Sequence, residues 1–395
     1  MENPFRIGER VTGEFFTNRA REVKRIRRAM AEPSRLLVYG PRRMGKSSAI
    51  RVAADRVRRD GGIVVRADLG GATSTSEVAD RLLTSLARTL PSDQDGWISE
   101  WVQALRLEFS TDALGFPVLR LGVQPPSTGF GGRRALAGLS EVLHRMDRLG
   151  EQGPAPVCVV LDEFQRLTRL GGEEAAWELR DLVQGHHHLS YVCAGSEEGV
   201  IERLTSRDGA FHGAFERLYL AELPRDHFAT WIDDRMASSG LGRAEGTGLT
   251  AIGLAGPRTE DVLKLARQIW FRASARGRIA NNDVDRAMEE LVRSDRGVFE
   301  KLWSGLTPHQ QRVLRAVAVG VQTLTAQAVR ERYQLRSSSA VSQAVEALAR
   351  RGLLQKNGPE LVFDDPFLRA WVEKELPPGL QKAKGQEKKQ PTKDR

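Results

Sequence analysis

The residues with the clearest chemical content lie in "YGPRRMGKSSAI", Tyr39 to Ile50. Gly40, Gly45, Lys46 and Ser47 fit the G-x-x-x-x-G-K-[ST] spacing of a phosphate loop. In such a loop the glycines let backbone N–H groups converge on phosphate oxygens, the lysine reaches the β and γ positions, and the serine ligates magnesium. Pro41, Arg42, Arg43 and Met44 complete the loop, and Ser48 follows it. A glycine-rich turn with an incidental lysine matches the same spacing, so the flanks decide. "RLLVYG" before the loop is a short apolar run, and "SSAIRVAADRVRRD" after it has apolar residues at helical spacing. The order strand, loop, helix is the one that presents free N–H groups and a helix dipole to an anion.

The other half of such a site is an acid at the end of a second buried strand, and "VCVVLDEF" ends in Asp162 and Glu163. Asp162 is the candidate magnesium ligand; Glu163 is placed to orient or deprotonate a water. Phosphoryl transfer is mostly positioning and charge stabilisation, so further donors near strand ends matter. Ser196, after "YVCAG", is read either as a sensor of the terminal phosphate or as the N-cap of "EEGVIERL". Arg217 in "GAFERLYL" is read as an arginine finger or as a surface charge, and Arg258 in "AGPRTEDV" as a residue at the start of a lid helix that reaches the nucleotide. His186, His187 and His188 do not read as a metal site, because consecutive residues on a loop cannot all face one ion.

Apolar runs must position these groups. "GGIVVRADLGG", "VCVVLDEF", "LSYVCAGS" and "RLYLAELP" join "RLLVYG" as five strands, separated by amphipathic helices such as "STSEVADRLLTSLARTL", opened by Ser74 or Ser76. Near-continuously apolar strands alternating with helices predict a parallel sheet covered on both faces, an α/β sandwich of the phosphate-loop type. "VLRLGVQPPSTGFGG" reads as an extended piece and a glycine-rich turn. The core is expected over 1–224. From Arg225 helices follow one another, predicting a helical lid over 225–300. "TPHQQRVLRAVAVG", "TAQAVRERYQL" and "SSSAVSQAVEALARRG", then two β-like pieces around Asn357-Gly358-Pro359, predict a winged helix-turn-helix over 301–376.

The chain has 395 residues and a net charge of +9, with 40% hydrophobic and 28% charged residues, which suits a protein of several globular domains. The absence of a long apolar run argues against a membrane span and predicts a cytoplasmic protein. Cys158 and Cys193 sit in apolar runs and read as small buried hydrophobes. The basic tail, 377–395, is predicted to be disordered; its last fifteen residues contribute +4, leaving +5 on the rest. An anionic partner is favoured. In the winged helix, Ser337, Ser338, Ser339, Ser342 and Gln343 stand where base edges are read, and Arg336, Arg350, Arg351 and Lys356 where phosphates are met. Glu331, Glu346 and Glu360 dilute that basic face, so a protein partner is the alternative to duplex DNA.

"NPFRIGERVTGEFFTNRAREVKRI", "VYGPRRMGKSS", "VVLDEFQRL", "CAGSEEGVIERL" and "RLYLAELP", with a winged helix ending "LVFDDPFLRAWV", resemble the archaeal-type ATPases of the STAND and AAA+ group, over about Asn3 to Glu375. That family is similar in fold to the origin-recognition initiators. The resemblance implies binding of ATP with Mg2+ and hydrolysis to ADP, in a regulatory switch that oligomerises with ATP bound; the alternatives are an initiator that ATP holds on duplex DNA and a protein-binding scaffold that binds nucleotide but barely hydrolyses it. It assigns Lys46 and Ser47 to phosphate and magnesium, Asp162 to magnesium, Glu163 to water and Ser196 to the sensor position. It also places "FFTNRARE" at the adenine, with Arg19 structural. One departure is that Glu216, not glycine, precedes Arg217. "AGPR" fits both the glycine-proline motif of STAND proteins and the sensor arginine of AAA+ proteins, leaving the clade open.

Overall fold

A computed structural model describes residues 2–6, 19–89, 107–111, 117–121, 136–242, 245–357 and 360–375. The chain divides into two compact units. One, the core unit, holds Arg6–Pro224 together with Arg258–Glu260; the other holds Met1–Phe5, Arg225–Pro257 and Asp261–Arg395.

The core unit is a five-stranded parallel sheet of order β2-β5-β6-β1-β7, formed by β1 (Arg35–Tyr39), β2 (Ile63–Asp68), β5 (Val157–Asp162), β6 (Leu189–Gly195) and β7 (Glu216–Tyr219). All seven residues of β6 and all six of β5 are buried, as expected of central strands covered on both faces. Alternation sends Leu36, Val38, Val64, Cys158, Val160, Val192 and Ala194 to one face, where α1 (Ala20–Ala31) and α2 (Lys46–Arg59) cover them. Leu37, Val65, Ala67, Val159, Leu161, Tyr191 and Cys193 point to the other, against α3 (Thr75–Thr89), α4 (Ala137–Gln152) and α5 (Leu167–Gly185). Of the two serines proposed to open α3, Ser74 does so: its hydroxyl accepts from Glu77 N at 3.2 Å. Cys158 and Cys193 are free buried thiols.

Two short strands, β3 (Leu107–Thr111) and β4 (Pro117–Leu121), form a separate antiparallel pair. The extended piece expected at "VLRLG" is β4; the glycine-rich turn after it lies outside the described residues, as do Phe15–Asn18 of the proposed adenine segment, the Gly358-Pro359 turn and the basic tail.

The second unit is helical from Arg225 onward. Its helices include Arg225–Met236, Thr259–Ser274 and Asp283–Ser294, where the apolar spacing predicts them, and also Thr247–Ala255, whose glycines obscure its period. The winged helix follows. Pro308–Ala318 opens with a reciprocal capping box between Thr307 and Gln310, Gln327–Arg332 is its second helix, and Ser338–Arg350 its third, capped by Ser337. The wing is β8 (Leu354–Asn357) antiparallel to β9 (Glu360–Phe363), and Pro366–Lys374 closes the domain with Asp365 as its cap. Among the described residues no helix is long and apolar enough to cross a membrane.

Candidate functional site

Strand order decides which side chains meet. β6 lies between β1 and β5, so the carboxyl ends of these three parallel strands stand side by side. The phosphate loop leaves β1, Asp162 and Glu163 end β5, and Ser196 follows β6. Crevices outside the carboxyl ends of parallel strands are where such sheets bind ligands.

The loop is shaped for close approach of an anion. Gly45 adopts φ 86°, ψ 18° just before α2, a left-handed conformation. Gly40 has φ 145°, and a Cβ there would lie 2.6 Å from the Leu220 carbonyl oxygen. Buried Arg19 braces the turn from behind, donating to the carbonyls of Met44 (3.2 Å) and Ala221 (2.6 Å), which accords with a structural role. Arg42 reaches Glu197 at 3.6 Å, and the amide of Glu260 donates to the Arg43 carbonyl at 3.2 Å. Arg258, two residues before, is buried and clusters with the core unit.

Lys46 is buried, and its ammonium donates to the carbonyls of Gly40 (2.8 Å) and Pro41 (2.7 Å). Burial lowers its pKa to about 8, opposed first by the Glu163 carboxylate and then by Asp162. An ammonium so desolvated gains from a multivalent anion brought beside it.

The Ser47 hydroxyl donates to Asp162 Oδ2 at 3.0 Å. Two hard oxygen groups converging beside a phosphate cradle suit magnesium, which takes one or two protein oxygens and fills its remaining positions with phosphates and water. Asp162 Oδ2 also accepts from the guanidinium of Arg66 on β2.

Glu163 has left-handed backbone, φ 54°, ψ 41°, a conformation costing a non-glycine residue about 1 kcal/mol. Its carboxylate is held in return: the Ser196 hydroxyl donates to it at 3.1 Å and the Gln165 amide at 2.5 Å. Gln165 also lies 3.4 Å from Ser196 through both its amide nitrogen and its amide oxygen, tying the three side chains into one cluster. Of the two readings of Ser196, the hydroxyl thus faces Glu163; helix α6 (Glu198–Thr205) has no side-chain cap.

The fold brings Lys46, Ser47, Asp162, Glu163 and Ser196 together. Arg217 is elsewhere: it is level with Leu37 in mid-strand on β7, exposed, and donates to the Thr205 carbonyl at 3.0 Å. Arg336, Ser337, Ser338, Ser339, Gln343 and Arg350 are exposed at and along the third helix of the winged domain. Sequence reasoning missed Arg66 and Gln165. The polar break in "VVRAD" and the glutamine two residues beyond Glu163 were the available signals. His186 is engaged with the Tyr191 hydroxyl (2.6 Å) and His144 (2.9 Å), and burial lowers its pKa to about 4.

Residues 16–235 match the family model of an ATPase domain found predominantly in Archaea, and residues 297–374 match that of a probable winged helix domain. The chain belongs to this archaeal-type ATPase family. No curated protein matches it. Among solved structures, this archaeal-type ATPase is similar to the Walker-type ATPase PABY2304 of Pyrococcus abyssi, at 17% identity and TM-score 0.62 over 94% of this chain and 99% of that one. It is similar also to the ORC2 protein of Aeropyrum pernix, at 16% identity and TM-score 0.53 over 91% and 94% of the two chains. The Aeropyrum pernix ORC1 protein, solved in complex with DNA, is 17% identical with TM-score 0.50 over 92% and 94%. At these identities the likeness establishes the fold.

Proposed function

We propose that this ATPase-family protein binds ATP with Mg2+ at the carboxyl ends of β1, β5 and β6, hydrolyses it to ADP and phosphate, and acts as a nucleotide-controlled switch in the cytoplasm. The observation that carries the reading is the convergence of Ser47, Asp162, Glu163 and Ser196 beside a desolvated Lys46. Lys46 exchanges the Gly40 and Pro41 carbonyls for β and γ phosphate oxygens, and the N–H groups of Gly45 to Ser48 cradle the same phosphates. Ser47 and Asp162 hold the metal, which when bound neutralises charge on the transferring phosphoryl group. Glu163, with Gln165 and Ser196 fixing its carboxylate, orients a water in line with the γ phosphorus and accepts its proton. Ser196, just past β6 and bonded to Glu163, is assigned to sensing the γ phosphate. Arg258 is assigned to the nucleotide side of the core. Arg217, exposed on an edge strand, is assigned to the site of a neighbouring copy in an ATP-bound oligomer.

The switch acts through the winged helix. A second reading, an initiator that ATP holds on duplex DNA, is favoured by the exposed Arg336, Ser337–Ser339, Gln343 and Arg350 around its third helix. The relative solved with DNA supports it by analogy. A protein partner on the same face is the alternative. The hydrolysis reading is tested by phosphate release from ATP by the wild type and Glu163→Gln, with ATP affinity measured on both. The expected result is a turnover loss of about a hundredfold or more with affinity retained. Equal turnover by Glu163→Gln removes Glu163 from catalysis.

A further inference from the structure

Asp162 Oδ2 accepts two donors, the Ser47 hydroxyl and the Arg66 guanidinium. The same oxygen belongs to the pair assigned above to the metal, so a cation of this chain stands where a divalent ion would bring its charge. Arg66 reaches it because alternation along β2 sets Val64, Arg66 and Asp68 on the face that carries Val160 and Asp162 of β5, with Arg66 opposite Val160 in register. Asp162 is buried, its side chain only 9% exposed, whereas that of Arg66 is 31% exposed. A carboxylate so buried gains from a positive partner beside it.

Arg66 also has somewhere to go. β2 is an edge strand of the sheet, and beyond it α2 and α3 bound an open groove of about 940 Å³ that Arg66 lines. Asp80 lines the same groove and offers a carboxylate to a guanidinium that leaves Asp162, as does Asp55, which already faces Arg58; Arg51, Arg81 and Arg88 line it too. The strand itself stays put, since the Arg66 amide is tied to the Ser85 hydroxyl of α3 at 2.9 Å. Departure therefore requires only rotation of the long side chain.

We propose that Arg66 is a displaceable internal cation: it neutralises Asp162 while no divalent ion is bound, and it must yield that oxygen when one arrives, setting the Mg2+ concentration at which the site loads. The inference rests on the assignment of Ser47 and Asp162 to magnesium. Arg66 thus acts through Asp162, as a positioning residue, and its competition makes loading respond to free Mg2+ as well as to ATP. A static structural pair predicts a different result, because removing it would lower stability without moving the metal dependence.

The test is equilibrium binding of a fluorescent ATP analogue across a series of free Mg2+ concentrations, for wild type, Arg66→Ala and Arg66→Lys. Removing the competing charge should lower the half-saturating Mg2+ concentration about tenfold in Arg66→Ala. Arg66→Lys, which keeps the charge on a shorter and non-planar group, should fall between the two and guards against a folding defect in the alanine variant. Unchanged or higher Mg2+ requirements in both variants overturn the role of Arg66 while leaving the ATP site intact. Failure of the wild type to bind the analogue at any Mg2+ concentration overturns both.

Discussion

Binding of ATP at pH 8.5 should take up most of a proton at Lys46. In the free protein burial holds this ammonium at a pKa of about 8, so at pH 8.5 it is only about one-quarter charged. Phosphate oxygens arriving in the loop favour the charged form and return its pKa toward or above the ordinary lysine value, so binding adds about 0.75 proton at pH 8.5 and about 0.1 at pH 7. The terminal phosphate contributes little at the higher pH, its last proton being lost near pH 6. Calorimetric titrations in buffers of different ionisation enthalpy read this number as the slope of observed heat against buffer heat. Because protons are taken up, affinity must weaken as pH rises above about 8, by close to the same fraction of a decade per pH unit. Lys46→Arg keeps a permanent charge and should abolish the slope. A zero slope in the wild type at pH 8.5 with ATP bound, or an equal slope in Lys46→Arg, would show that Lys46 does not take up the proton.

Gly40→Ala should cost about 2–4 kcal/mol of stability and lower the melting temperature by several degrees, because its Cβ would meet the Leu220 carbonyl and its φ of 145° is strained for alanine; an unchanged melting temperature counts against the loop geometry. For the winged helix, duplex affinity of the tail-deleted protein should fall steeply with salt, and the Arg336→Glu, Arg350→Glu double variant should flatten the logarithmic slope by about two. Salt-insensitive or absent DNA binding by that protein assigns the face to a protein partner.

The phosphate loop and its opposing acids are legible in the sequence because each is bounded by an unambiguous apolar strand, and two halves of one site are hard to produce by chance. The parallel sheet is legible for the same reason, its strands being apolar on both faces. What escapes is contact across strands that are distant in sequence. Arg66 interrupts "VVRAD" as a solvent-facing residue of an edge strand would, and only the pairing of β2 with β5 reveals that it faces Asp162. Gln165 falls in what reads as the start of a helix, yet a three-residue turn of 3₁₀ helix buries it and turns its amide back onto Glu163. Arg217 illustrates the converse. It reads as standing immediately before the fifth strand, but β7 begins a residue earlier, so Arg217 is the second residue of that strand, toward its amino end and away from the carboxyl ends where Lys46 and Asp162 meet. The helix Thr247–Ala255 has no clear period because Gly248 is there to pack against the Ala229 backbone, a tertiary requirement that leaves little trace in spacing.

Every role assigned above follows from the loop after β1 holding the phosphates of ATP. Equilibrium binding of ATP to the purified chain, with and without Mg2+, tests it directly when wild type and Lys46→Ala are compared. Saturable binding by the wild type, strengthened by Mg2+, is expected, with a loss of about a hundredfold in Lys46→Ala, corresponding to about 2.7 kcal/mol. Equal affinity in the two proteins, or no binding by the wild type, would contradict it.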